Sequence, residues 1–382
     1  MKNSYFLSQP HQPFFVLSFI NAIVFMIMFM LAYKGILFFT VDIVEFHAFG
    51  LIFLFFTPAF YAFLFTTFPR FLATAVVLKS VYTQIFILYI IATIFFILGA
   101  IISPILYKLG MILTAVSFLY SYKILFEIYR KSTVSNKDDA FWILTGASFG
   151  ILGLLLFIIL PLSALGIQVS IYLYLFLLTF AVAQRMIPFF SQCRFTKNKN
   201  FLKYILILLI IRILLETVMS NLSFIADFIL FFYISKELLR WKLPFPNPNP
   251  MLWIMHISLF WVPFAFLLSS LSNGFEYFYD TSFLALGIHS LILGFLLTVL
   301  IGFGTRVTLG HSGNVVSANK FTIFIFIWTQ IVVLARIVTS IVASLNMNFM
   351  IIFDISVTVW LILFVLWSWQ FLTILIFGKQ LK

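Results

Sequence analysis

Five histidines punctuate a chain otherwise poor in ionisable groups: His11, His47, His256, His289 and His311. A neutral imidazole presents a ring nitrogen that ligates haem iron or copper. Two arginines sit in unusual surroundings. Arg185 lies in Gln184-Arg185-Met186-Ile187-Pro188-Phe189-Phe190, and Arg306 in Gly302-Phe303-Gly304-Thr305-Arg306-Val307-Thr308-Leu309-Gly310-His311-Ser312-Gly313. A guanidinium grips a carboxylate bidentately, so each is a candidate for holding a group such as a haem propionate. The plainer reading of Arg185 is a topogenic charge that snorkels to the membrane surface. The glycine-rich run reads as a loop, either a simple turn or one folded into the mouth of a helix bundle so that it presents His311. The single cysteine, Cys193, excludes an intrachain disulfide, a CxxC motif and Cys-ligated zinc or iron–sulfur sites. Gly-rich phosphate loops, HExxH and a Ser-His-Asp arrangement do not occur in the sequence.

The elements that position these groups are membrane helices. Of 382 residues, 64% are hydrophobic and 9% charged, against about 45–50% and about 25% in a soluble domain. Surface-to-volume scaling leaves a soluble fold no way to hide that much apolar area. The hydropathy pattern predicts an all-α integral membrane protein, a single polytopic domain of about twelve helices. The spans fall near 14–34, 46–68, 81–103, 106–129, 141–163, 167–190, 201–219, 222–240, 251–272, 280–304, 320–343 and 349–377. Each is close to the roughly 20 residues needed to cross about 30 Å of hydrocarbon. The breaks at Pro161–Gly166 and Met219–Asn221 are very short. The first run reads as helix 1 and not as a removed signal peptide.

With both termini cytoplasmic, the outer loops hold only Lys34 and Lys108, and Arg212 and Arg336 lie within spans. The other Lys and Arg, from Lys2 through Arg194 to Lys382, are on the inner side. That is the positive-inside pattern. The net charge of +12 is therefore mostly topogenic. Basic residues spread over short loops form no nucleic-acid patch, and no loop is long enough for a soluble catalytic domain.

Topology sorts the histidines by depth. His289 is expected ~14 Å below the outer end of span 10, with His47 at the outer end of span 2 and up to ~12 Å shallower, at 1.5 Å per residue. His256 is expected ~8 Å in from the inner side, and His11 and His311 flank the inner ends of spans 1 and 10. An outer pair and an inner trio result, read as two sites or as one site reached by infolded loops. Ionisable groups in lipid are costly and tend to mark function. Arg212 and Glu216, four apart, are expected to pair across one helical turn. Arg336, Gln330, Asp227 and Asp354 are expected to pair across helices.

These residues resemble the NnrS family of bacterial membrane proteins. The resemblance rests on His11-Gln12-Pro13-Phe14-Phe15, Phe46-His47-Ala48, Thr66-Thr67-Phe68-Pro69 and Arg185-Met186-Ile187-Pro188-Phe189-Phe190. It rests further on His256 with Trp261-Val262-Pro263, on His289, and on Thr305-Arg306-Val307-Thr308-Leu309-Gly310-His311-Ser312-Gly313. The last run is the most specific, with Ser312 where the family has Thr. One departure is informative. Span 2 of the family often opens Trp-His-Ala-His-Glu, whereas Phe49 and Gly50 stand here in place of the second His and the Glu. Either His47 is the ligand or the site differs in this chain. The resemblance implies a multi-pass protein of the bacterial cytoplasmic membrane that binds haem and copper and serves nitric oxide metabolism or nitrosative-stress tolerance. It implies His47, His289, Arg306 and Arg185 as cofactor-binding residues and His256, His311 and His11 as metal ligands. The competing classes are a secondary transporter of a small solute without haem, and an accessory factor that holds haem or copper for delivery.

Overall fold

The computed structural model describes residues 5–159, 162–193, 197–219 and 222–379. Pro161 in the first short break, Asn221 in the second, and the charges Lys2, Arg194 and Lys382 lie outside them. Among the described residues all regular structure is helical, with no strand. Twelve long helices follow a short turn at Tyr5–Leu7: α1 His11–Tyr33, α2 Ile43–Phe71, α3 Lys79–Ile102, α4 Pro104–Lys131, α5 Asp138–Ile158, α6 Ser163–Phe190, α7 Phe201–Val218, α8 Ser223–Trp241, α9 Pro250–Tyr279, α10 Leu286–His311, α11 Lys320–Ser344 and α12 Met350–Phe377. Ten of these are long and apolar enough to cross a membrane. The other two, α7 and α8, are also apolar, but α7 carries Lys203, Arg212 and Glu216, and α8 carries Asp227, Lys236, Glu237 and Arg240.

Three helices differ from the rest. In α2, α6 and α10 the most apolar stretch is 89%, 83% and 83% buried, whereas no other span exceeds 56%. Each contains a π-helical stretch: Gly50–Phe56, Val169–Phe176 and Ser290–Leu297. A π turn is wider than an α turn and leaves carbonyls badly aligned for the regular ladder. Buried carbonyls must find donors, and here side chains supply them. Thr57 Oγ1 donates to the Ile52 carbonyl at 2.8 Å and Thr298 Oγ1 to the Leu293 carbonyl at 3.0 Å, each five residues back.

The chain divides into two compact units. The first comprises Met1–Ser170, Val307–Val315 and Phe364–Lys382. In it α1 serves the π stretch of α2: Ser18 Oγ donates to the Phe55 carbonyl (2.8 Å) and Asn21 Nδ2 to the Leu54 carbonyl (2.7 Å). Phe46 and Phe49 stack on Phe96 of α3 at 5.2 and 5.1 Å. Gly99 of α3 and Gly110 of α4 let these two helices approach until a Cβ at either would strike the other backbone, the small-residue contact favoured between membrane helices.

The second unit comprises Ile171–Arg306 and Val316–Leu363. Its core places Phe176 and Phe180 of α6 against Phe295 of α10. The Trp261 indole of α9 lies over Gly294. Its Nε1 donates to Gln330 Oε1 of α11 at 2.8 Å, and Gln330 Nε2 reaches Thr298 Oγ1 at 3.3 Å. The π stretch of α10 is thus clamped from two helices.

The expected boundaries of span 10 need correction at both ends. Residues 280–285 are not helical, and Asp280, Leu284 and Ala285 have left-handed backbone. The helix begins at Leu286 and does not stop at 304. It continues through the glycine-rich run to His311, so the loop expected at Gly302–Gly313 is helix up to its last two residues. Glycine is tolerated in membrane helices, and Gly302 sits in ordinary to tight contact with Ile254 and Met255.

Candidate metal centre

In the first unit the structure brings two of the site histidines together. His11, expected just before helix 1, is its first residue, and His311 is the last residue of α10. Their ring centroids are 5.0 Å apart with the planes inclined at 43°. His11 is 2% exposed, and its Nδ1 is buried without a hydrogen-bond partner. A buried polar atom left unmatched costs about 1–3 kcal/mol, so it calls for an explanation. Two rings this close are within reach of one ion at the roughly 2 Å metal–nitrogen distance of imidazole ligation. Copper suits such a nitrogen donor set. Arg70, near the end of α2, lies within Coulombic reach of both rings. Sequence reasoning treated it only as a topogenic charge.

His47 also belongs to the first unit. It is the fifth residue of α2, half-buried, with its ring 4.1 Å from that of Phe29 and inclined at 33°.

The second unit holds His256 and His289. His256 of α9 is fully buried, and its Nε2 is 2.7 Å from Ser191 Oγ at the end of α6. Its Nδ1 is buried and has no hydrogen-bond partner. Ser191 was not singled out by sequence. It directly follows the Arg185–Phe190 run, which is the one signal that would have pointed to it. Arg306 of α10 stacks its guanidinium 3.8 Å from the centre of the Phe190 ring, a cation–π contact. Arg185 is half-buried on α6.

His289 is not deep in its helix. It is the fourth residue of α10, because the helix starts six residues later than expected. Its Nδ1 is 3.0 Å from the Ala285 carbonyl and 3.1 Å from Arg336 Nη2 of α11.

Other intramembrane charges pair differently from expectation. Arg212 Nε donates to Asp227 Oδ1 at 3.0 Å, not to Glu216. Glu216 accepts instead from Ser223 Oγ. Asp227 also accepts from Ser269 Oγ at 2.7 Å, and the Arg212 guanidinium lies 4.0 Å over the Tyr172 ring. A pair four apart on one helix is worth only about 0.2–0.5 kcal/mol, and a fully buried carboxylate on the next helix is the stronger partner. Cys193, in the loop after α6, is half-buried, and burial raises its thiol pKa.

Among the described residues no three His, Cys, Asp or Glu side chains converge on one point. The histidines therefore stand as one close pair, His11 with His311, and as individually braced rings. The NnrS family model, described as NnrS protein, matches residues 5–377, and the chain belongs to that family. No curated protein matches it.

Proposed function

Taking the chain as a member of the NnrS family, we propose that it is a haem- and copper-binding protein of the bacterial cytoplasmic membrane that serves nitric oxide metabolism or nitrosative-stress tolerance. The observation that carries this reading is the His11–His311 pair, two rings 5.0 Å apart with a buried ring nitrogen that no protein group matches. These two histidines are the proposed copper ligands, with His256 as a further metal-binding histidine in its own unit. His47 and His289 are the proposed haem-binding histidines, each near the N-terminal end of its helix. Arg306 and Arg185 supply positive charge for the cofactor's carboxylates. When bound, haem or copper supplies reversible coordination and one-electron exchange with nitric oxide. The chain's own work is to hold and orient these groups away from water. Nitric oxide is small, apolar and soluble in the bilayer, so it needs no aqueous channel. We further propose that all twelve helices span the bilayer with both termini inside. The Arg212–Asp227 pair makes this feasible for α7 and α8, because a buried, paired charge is far less costly in lipid than a lone one.

The test is purification in detergent followed by a visible spectrum and metal analysis. A Soret band and copper in well-folded protein are expected; neither in well-folded protein overturns the reading. His289→Ala is expected to lose the haem signal more fully than His11→Ala, and equal retention in both removes the ligand assignment.

A further inference from the structure

Leu284 and Ala285, immediately before α10, both have left-handed backbone, with φ of 44° and 56°. Non-glycine residues rarely adopt this region, and consecutive ones persist only where surrounding structure holds them. What holds this turn is Arg336 of α11, a residue that the resemblance assigns no role. Its Nη2 donates to the Leu284 carbonyl at 2.7 Å, its Nη1 donates to Ser340 Oγ, and Nη2 also lies 3.1 Å from His289 Nδ1. His289 Nδ1 is simultaneously 3.0 Å from the Ala285 carbonyl. The two contacts to Nδ1 exclude each other chemically. Guanidinium nitrogens only donate, so a bond from Arg336 requires a lone pair on Nδ1. A carbonyl only accepts, so the bond to Ala285 requires a proton there. Ligation through Nε2 demands the second arrangement, in which the far nitrogen donates to a backbone carbonyl, the usual support of a metal-bound histidine. Arg336 then gives its hydrogen bonds to Leu284 and Ser340 and stays beside the ring as a fixed positive charge.

We propose that Arg336 is the positioning residue of His289: it pins the strained turn that aims the ring, governs the tautomer that leaves Nε2 able to ligate, and tunes the bound cofactor by its charge. The cofactor part rests on the reading of His289 as a haem ligand; the tautomer part does not. A positive charge beside the ligand withdraws electron density and favours the reduced metal, so its removal lowers the midpoint potential.

The experiment uses full-length protein in detergent with ¹⁵N-labelled histidine, wild type against Arg336→Gln and Arg336→Lys, and with His256→Ala to assign resonances by elimination. In metal-free protein the His289 ¹⁵N shifts are expected to move in Arg336→Gln, as the ratio of the two tautomers changes. With haem added, affinity falls 10–100-fold, the midpoint potential drops, and the haem EPR g-values shift. Arg336→Lys keeps the charge and loses the fork. It is expected to keep the potential near wild type while still altering the tautomer ratio, and it remains available if the Gln variant does not fold. Unchanged ¹⁵N shifts in both variants overturn the positioning role. Changed shifts in a wild-type protein that takes up no haem leave positioning intact and remove the haem reading instead.

Discussion

Arg212 and Arg336 each carry a guanidinium into the interior of the second unit, and their surroundings treat the charge in opposite ways. Arg212 is 2% exposed, meets the fully buried carboxylate of Asp227 at 3.0 Å, and rests on the face of Tyr172. Asp227 completes its own hydrogen bonding with Ser269. Charge is matched by charge, and the group turns inward on itself. Arg336 spends its donors on a backbone carbonyl, a hydroxyl and a histidine ring. The contrast separates an arginine that keeps helices together from one whose field and geometry act on a neighbouring imidazole.

Four substitutions test the contrast. Removing Asp227 strands a fully buried cation, so Asp227→Ala is expected to cost about 3–5 kcal/mol. Thermal unfolding in detergent measures this, and a loss below ~1 kcal/mol would mean that Arg212 finds another partner and that the closed pair is not structural. Arg336→Gln is expected to act the other way round. Stability changes by no more than ~1 kcal/mol, in the range of the hydrogen bonds removed, while haem affinity measured by titration falls ten- to a hundredfold. A protein that instead unfolds like the Asp227 variant would put both arginines in one class. The comparison extends to the first unit through His11→Phe. That change removes an unmatched buried nitrogen and keeps an aromatic ring of similar breadth, so the metal-free variant is expected to be as stable as wild type or up to about 1–3 kcal/mol more stable, with copper content falling to background. Wild-type copper with His11→Phe would sink the pair as a metal site. The smallest effect is expected for Ser191→Ala, about 0.5–1.5 kcal/mol from one neutral hydrogen bond, read as a shift in unfolding temperature without loss of haem or copper.

How much of this was legible beforehand follows from the range of the forces involved. Helix positions were readable because hydropathy is a local property summed over twenty residues, and ten of the expected spans coincide with helices of membrane-crossing length and composition. The ends of α10 were not. Gly302, Gly304, Gly310 and Gly313 invited a loop reading, yet three of the four lie inside the helix, where close packing makes a missing side chain useful. The resulting error in His289 was purely one of register. Arg212 shows the limit of spacing rules: Glu216 is the neighbour along the helix, but Asp227, fifteen residues away, is the partner in space. The His11–His311 contact joins residues three hundred apart, and no local pattern encodes it; only the family run around His311 marked that residue at all. The π stretches left no trace in hydropathy, because a widened turn has the same apolar composition as a regular one.

Those widened turns have a consequence for tolerance to change. A residue added to or removed from a straight helix turns everything downstream by about 100°, and a π turn absorbs such an insertion locally. In α10 the π stretch lies between His289 upstream and Arg306 and His311 downstream. It therefore sets the rotational phase of one group of side chains against the other. Deleting one residue from 290–297 would restore ideal helical winding, and at the same time swing Arg306 away from Phe190 and His311 away from His11. A locally more regular helix would be a misphased one.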